Sequence, residues 1–385
     1  MSEPLVSVVM GTYNHAPFVA EAIRSVLAQD FTDYEFLIAD DGSSDGTAAV
    51  VAEFSDPRIR FQPHPTNRGA ALVLNELVGQ ARGRYVCVLN SDDSWMSGKL
   101  SEQIALLERR PEIGAAFGRV EFIDGDGAPI DKDSLSFGHV FDQPNRTRGE
   151  WLRYFFWHGN CLCHPSVMIR REIYATVGPY DNRMRQLPDF DMWIRVVKVS
   201  DIFVSPSVMV RFRILPGENT SSDTPTNHIR TLNEHFFIGL GFFENMSADL
   251  LRQGFGDRLS RPDLSLDSTR DIEAALLFFR PVVSLERVHR LLGILKLREL
   301  LGNESTRTLL AAHYDFDDRA LQRLAVEVDT LYKAAPQPAT PLPQAGDVSR
   351  VPTKELARII GTRLLTRARH LARPGPIYPL TEQGK

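Results

Sequence analysis

Three short apolar runs, each cut off by a polar or acidic loop, limit what this chain can fold into more than any other feature. Leu5-Val6-Ser7-Val8-Val9-Met10 ends in Gly11-Thr12-Tyr13-Asn14. Phe36-Leu37-Ile38-Ala39 ends in Asp40-Asp41-Gly42-Ser43-Ser44-Asp45-Gly46-Thr47. Tyr85-Val86-Cys87-Val88-Leu89 runs out into Asn90-Ser91-Asp92-Asp93. Continuous apolar runs of this length, bounded by turn residues, read as buried strands. Between them, residues 18–28 carry Val19, Ile23, Val26 and Leu27 at helical spacing, 47–54 and 70–81 read as further helices, and 58–62 reads as a strand. That alternation predicts βαβ units and a largely parallel sheet. Ligands of open α/β sheets bind beyond the carboxyl ends of the strands, so the three loops are expected at one edge.

The loops carry suitable chemistry. Adjacent carboxylates such as Asp92 and Asp93 can hold Mg²⁺ or Mn²⁺, hard cations that keep coordination sites open for diphosphate oxygens. An isolated Asp-Asp-Ser also serves as a helix cap or turn, but the second acidic loop at Asp40-Asp41 weights the reading toward a site. The loop after the first strand offers backbone N–H groups, the Thr12 hydroxyl and the Tyr13 ring to a nucleotide.

In order and spacing, the segments VSVVMGTYN, FLIADDGSSDGT and ARGRYVCVLNSDDSW resemble the inverting, GT-A-fold glycosyltransferases of family 2, over about residues 5–220. The resemblance implies an α/β, Rossmann-like mixed sheet flanked by helices, with a nucleotide-sugar donor and Mn²⁺ or Mg²⁺. It makes Tyr13 a pyrimidine contact and Asp41 the acceptor for the N3–H of uracil or thymine, which favours UDP- or dTDP-sugars, with Asp40 as its neighbour. Asp92 is implied near the ribose or the metal, and Asp93 as the direct metal ligand. Arg68, in a Gly-containing turn before a helix, suits either a phosphate or solvent. In Leu187-Pro188-Asp189-Phe190-Asp191-Met192-Trp193, the family's general base maps onto Asp189. Asp191 is the second candidate, which could instead cap or orient the helix. The chain departs from the family at Asn90, where many relatives carry Asp, at Pro188, where Glu is usual, and at Leu215, where a His is frequent. Arg211 or Arg213 is expected to compensate by neutralising phosphate. His164 faces the acceptor region by analogy, or is structural.

The 385 residues exceed one typical domain. A formal net charge of −5 with 24% charged residues argues against a nucleic-acid partner. Three cysteines, without a secretory leader pattern, suggest a cytoplasmic chain, and no apolar run reaches membrane-spanning length. Cys161-Leu162-Cys163-His164 lacks the second ligand cluster of a zinc site and is expected instead as a packed strand with both thiols on one face. The expected organisation is a GT-A domain over 1–225, a helical region over 226–333, a Pro-rich linker over 334–349, and a basic tail over 350–385. Within the first domain, residues 99–109 read as a helix, 114–122 and 166–169 as strands, and 124–149 as an excursion shaping an acceptor cleft. Later helices are expected at 228–243, 270–279, 285–301 and 320–333. In the tail, Leu356, Ile359, Ile360, Leu364 and Leu365 alternate with Lys354, Arg358, Arg363 and Arg367 at helical spacing. Such a helix suits an anionic membrane surface, the catalytic domain or a second subunit.

The resemblance implies transfer of a sugar to a hydroxyl of a glycan or lipid-linked glycan, in bacterial cell-surface polysaccharide synthesis. A sugar-nucleotide-forming nucleotidyltransferase would want a basic Gly-rich loop where Gly11-Thr12-Tyr13-Asn14 stands. A non-catalytic sugar-nucleotide or glycan-binding module is the alternative that Asn90 and Leu215 favour.

Overall fold

Alternating burial along the first strand sets the architecture. In β1 (Val6–Thr12), Val8 and Met10 enter one core and Val9 the other, all fully buried. A strand covered on both faces is what a parallel sheet between helical layers requires. The structure is a computed structural model that describes residues 3–217, 222, 224–280 and 285–327. The expected linker at 334–349 and the basic helix in the tail lie outside the described residues.

The remaining strands are β2 (Tyr34–Asp40), β3 (Ile59–Pro63), β4 (Tyr85–Val88), β5 (Ser94–Trp95), β6 (Ile113–Ile123), β7 (Met168–Arg170) and β8 (Asp201–Arg213). They form one sheet in the order β3-β2-β1-β4-β7-β6-β8-β5. The first four strands are mutually parallel, and β7 pairs antiparallel with both β4 and β6. Register brings Thr12 opposite Asp40 and Val9 opposite Val88, so the loops after β1, β2 and β4 leave the sheet at one level.

Seven helices belong to the sheet region: α1 (Val19–Leu27), α2 (Thr47–Ala52), α3 (Ala70–Gln80), α4 (Lys99–Arg109), α5 (Arg148–His158), α6 (Arg171–Val177) and α7 (Pro188–Val199). Helix α1 buries Val19, Ala22, Ile23 and Val26, the i, i+3, i+4, i+7 stripe of an amphipathic helix, on the face that α4 also covers. Helices α3, α5 and α7 cover the opposite face. There they meet part of the helical region, which comprises α8 (Pro225–Gly241), α9 (Ala248–Phe255), α10 (Leu266–Leu277), α11 (Glu286–Leu301), α12 (Glu304–Tyr314) and α13 (Asp318–Glu327). Ile238, Phe242, Leu251, Phe255 and Leu292 share one core with Val86, Ala115 and Phe117 of the sheet. The described residues up to Glu327 accordingly fall in one compact unit.

Several local expectations differ. Residues 164–166 form a 3-10 turn and the strand begins only at Met168, because Pro165 has no N–H to give a ladder. Cys161 and Cys163 sit in irregular backbone before that turn, Cys161 in one core and Cys163 in the other, so they do not share a face. The long strand β8 was not among the expected elements, and it runs through Ser205-Pro206-Ser207. It bulges there, with Val204 opposite Phe117 and Val208 opposite Arg119. Gly118 permits this, since a Cβ at that position would lie 2.5 Å from the Met209 side chain.

Trp193 of α7 lies fully buried with its ring edge-on to Phe117 at 4.8 Å. Trp193→Ala is expected to lower stability by about 3–5 kcal/mol, read as a lower urea midpoint at unchanged slope.

Candidate active site

The edge defined by β1, β2 and β4 is organised by hydrogen bonds between its loops. Asp40 turns back on its own loop, accepting from Ser43 N at 2.9 Å and Ser43 Oγ at 2.5 Å. Asp41 reaches across to the turn before α3, accepting from Arg68 N at 2.6 Å and Gly69 N at 2.9 Å. Gly42 is needed between them: it has φ +74, and a Cβ would lie 2.6 Å from the Thr66 carbonyl carbon. Asn14 and Ser44 lace the first loop to the second, and the His15 ring meets Ser91 Oγ at 2.7 Å, which ties in the third. The Thr12 hydroxyl is buried and has no hydrogen-bond partner among the described residues, while Tyr13 is 44% exposed. A buried unmet hydroxyl beside an exposed ring suits an incoming polar, aromatic ligand. Arg68 directs its guanidinium to Glu76 at 2.8 Å, on the exposed side of this turn.

Asp92 is partly buried and Asp93 almost fully so. Asp93 accepts from Arg213 N at 2.8 Å and from Asn90 Nδ2 at 3.0 Å. Asn90 therefore donates a hydrogen bond where an aspartate would add repulsion. Burial first, and then the Asp92 charge, push the Asp93 carboxyl well above the ordinary carboxylate range. A cation between the two carboxylates would relieve that cost. Among the described residues no group of three or more His, Cys, Asp or Glu side chains converges on a metal-sized site. A divalent ion here would thus rest on two carboxylates and take its other ligands from substrate and water, a pattern that fits Mg²⁺ or Mn²⁺.

Arg213, at the end of β8, is buried rather than open to a phosphate. Its Nε donates to Asp92 O at 2.9 Å, its Nη1 to Asp124 O and Gly125 O, and its Nη2 to Glu21 Oε2 at 2.5 Å. Arg211 pairs with Glu121, and Leu215 is buried.

Asp189 stands in the first turn of α7 and accepts from Asn160 Nδ2 at 2.8 Å. Burial raises its carboxyl to about 6, against the lowering effect of the Asn160 bond. Asp191, one turn side away, is tied into an i, i+4 ion pair with Arg195 at 2.8 Å, and Arg195 also binds the carbonyls of Val177, Gly178 and Pro179. The buried Cys163 thiol is raised by burial and further by both Asp93 and Asp189, which brings these carboxylates around one segment although 96 residues separate them in sequence. His164 contacts Tyr180 and Trp193, and burial lowers it to about 4, so it is neutral at pH 7. Asn160 and Glu21 are the contributors that sequence reasoning missed, while Arg213 was expected at a phosphate and not as the buried link between these loops. Asn160 and Glu21 lie in segments without a motif, and only the long-range contacts reveal them.

An eight-stranded mixed sheet with carboxylates at the carboxyl edge of its parallel half defines a GT-A-like fold. The family model of Glycosyl transferase family 2 matches residues 7–178. The putative teichuronic acid biosynthesis glycosyltransferase TuaG of Bacillus subtilis is 36% identical over 203 residues, covering 51% of this chain and 73% of that one. The UDP-Glc:alpha-D-GlcNAc-diphosphoundecaprenol beta-1,3-glucosyltransferase WfgD of Escherichia coli is 37% identical over 126 residues, which span 33% of this chain and 49% of the relative. Among solved structures, S. aureus TarS 1–349 in complex with UDP-GlcNAc superposes with a TM-score of 0.53 at 17% identity, over 81% of this chain and 92% of that chain. The chain belongs to glycosyltransferase family 2 and is a glycosyltransferase.

Asp189 has a linkage consequence. Its folded value near 6 lies above the ordinary 3.8, so its stabilising term is present below that ordinary value and is lost as pH rises through the folded one. Asp189→Asn is expected to be more stable than wild type at pH 8, by roughly 3 kcal/mol, and to converge with it near pH 4. Thermal melts across that range check this.

Proposed function

We propose that the chain moves a sugar from a nucleoside-diphosphate sugar, a UDP- or dTDP-sugar being favoured, to a hydroxyl of a glycan or lipid-linked glycan, with inversion at the anomeric carbon. The observation that carries the reading is the Asp92–Asp93 pair at the sheet edge, with Asp93 buried and in want of a cation, close to the same buried segment as Asp189. Tyr13 and Thr12 would meet the nucleoside, and each Asp41 oxygen retains a lone pair beyond its backbone bond, enough to accept a pyrimidine N3–H. Asp40 would hold the turn that presents Asp41, and Arg68 would lie at the outer rim. Asp93 and Asp92 would hold Mn²⁺ or Mg²⁺, which when bound supplies Lewis-acid neutralisation of the departing diphosphate.

In the proposed step an Asp189 oxygen takes the acceptor hydroxyl proton while the acceptor oxygen bonds to the anomeric carbon. The bond from that carbon to the diphosphate oxygen breaks, and its electron pair leaves with the diphosphate. A carboxyl near 6 is mostly ionised at pH 7 yet still basic enough to accept the proton. Asp191, held by Arg195, would shape the helix instead. The name of TuaG, which places it in teichuronic acid biosynthesis, and that of WfgD, which names UDP-Glc as donor and a GlcNAc-diphosphoundecaprenol as acceptor, support this reading.

UDP with Mn²⁺, at about 100 times its dissociation constant, should add about 2.7 kcal/mol of stability, and either component alone much less. Asp93→Ala should abolish the effect, whereas full retention would remove Asp93 from the site. Asp189→Asn should stop turnover of the donor yet keep that stabilisation, with Asp191→Asn doing less, and the opposite order would move the base to Asp191. No helix among the described residues is long and apolar enough to cross a membrane. The basic segment at 353–373 is proposed to rest on the anionic leaflet that holds a lipid-linked acceptor. The full chain should then float with anionic liposomes and a chain ending at Pro341 should not, and equal failure of both to float would sink this reading.

A further inference from the structure

The entry to α7 is held from outside the sheet region. Leu187, the residue before the helix, provides no side-chain cap. The backbone that leads into the helix, up to and including its N-cap residue, is held by Glu234 of α8, 47 residues from Leu187 in sequence. Its Oε1 accepts from Arg185 N at 2.9 Å, and its Oε2 accepts from Gln186 N at 2.7 Å and Leu187 N at 2.8 Å. Glu234 is only 3% exposed. Three consecutive N–H groups converging on one carboxylate form a charge-assisted anchor, and the backbone they fix is followed directly by Pro188 and Asp189.

We propose that Glu234 is a positioning residue for sugar transfer: its carboxylate locks the turn that delivers Asp189, and its negative charge acts on Asp189 from a separate element. This rests on the reading of Asp189 as the base. A structural cap alone would need neither property to act on Asp189. Burial is the main influence that raises Asp189, the Asn160 bond and the Phe190 and Asp189 N–H groups oppose it, and the Glu234 charge adds a smaller push in the same direction as burial. The other groups around Asp189 differ in kind. Asn160 is neutral and donates to it. Cys163 and Tyr180 are held protonated, both raised chiefly by burial. His164, next to both of these, is neutral at pH 7. On the same helix, Asp191 and Arg195 neutralise each other. Glu234 is therefore the charged partner brought to Asp189 by another element, and it couples the helical region to the chemistry at the sheet edge.

The test compares full-length wild type, Glu234→Gln, Glu234→Asp and Asp189→Asn. In protein labelled with ¹³C-aspartate, the Asp189 carboxyl resonance is the one missing from Asp189→Asn, and its pH midpoint is followed in the other three. Glu234→Gln, which removes the charge, should lower that midpoint, while Glu234→Asp, which keeps the charge but shortens the arm, should leave it near wild type. UDP release from UDP-glucose and UDP-GlcNAc with Mn²⁺ should fall in both variants by on the order of 10- to 100-fold in kcat, with the donor KM unchanged. A folded Glu234→Gln with the wild-type midpoint would overturn the inference. If Glu234→Gln does not fold, a folded Glu234→Asp with wild-type kcat overturns it equally. An Asp189→Asn protein that still releases UDP with the wild-type pH profile would overturn the base reading itself. An inactive Asp189→Asn beside a wild-type-like Glu234→Gln would overturn only the role of Glu234.

Discussion

The carboxylate edge is built around the buried guanidinium of Arg213. An arginine taken out of water costs several kcal/mol unless its donors are met, and here they are met by parts of the chain that must stay together. One side chain spans the Asp92 carbonyl, the turn at Asp124 and Gly125, and Glu21 of α1, while the backbone N–H of the same residue holds Asp93. Its plane also lies over the Phe18 ring at 4.9 Å. Because the pair Asp92 and Asp93 is anchored to β8, to the start of α1 and to the end of β6 at once, its geometry does not depend on the flexibility of its own loop. Such rigidity suits the role proposed for the pair beside a departing diphosphate.

The second anchor is the short segment from Asn160 to Pro165. It gives Asn160 to Asp189, places Cys163 close to both Asp93 and Asp189, and offers the Pro165 carbonyl to the Trp95 indole at 2.9 Å. The two halves of the proposed chemistry, diphosphate departure and proton removal, therefore share one buried strip of backbone. Small neutral side chains suit that strip, because a further charge there would disturb two carboxylates together. The helical region adds Glu234 at the turn before α7, so Asp189 is held directly by Asn160 and follows a turn anchored by Glu234.

Much of the edge was legible before any coordinates. The strand ends at Thr12, Asp40 and Val88 stand where the apolar runs stop or nearly so, because a parallel strand buried on both faces must be apolar throughout and must end where polar groups can meet solvent or ligand. The helices 70–81 and 99–109 were equally plain from their spacing. Other parts were not. The strand β8 was not among the expected elements and carries Ser-Pro-Ser at its centre, yet pairing with β6 absorbs the irregularity as a bulge opposite Gly118. Arg213 was expected to face phosphate, and nothing in its neighbours along the chain reveals that its partners are Glu21 and two loop carbonyls.

What the sequence by itself determined was the local chemistry: which runs become strands, where they end, and which carboxylates and aromatic rings stand at those ends. Tertiary structure decided the environment of each group. Asp189 and Asp191 are two residues apart with the same chemistry, yet one is buried against Asn160 and raised to about 6 while the other is neutralised by Arg195. The physical reason is that periodicity and turn chemistry act over a few residues and are written in the chain. Burial, charge pairing and hydrogen bonding at a site depend on residues tens or hundreds of positions away, and these meet only once the sheet and its helices have packed.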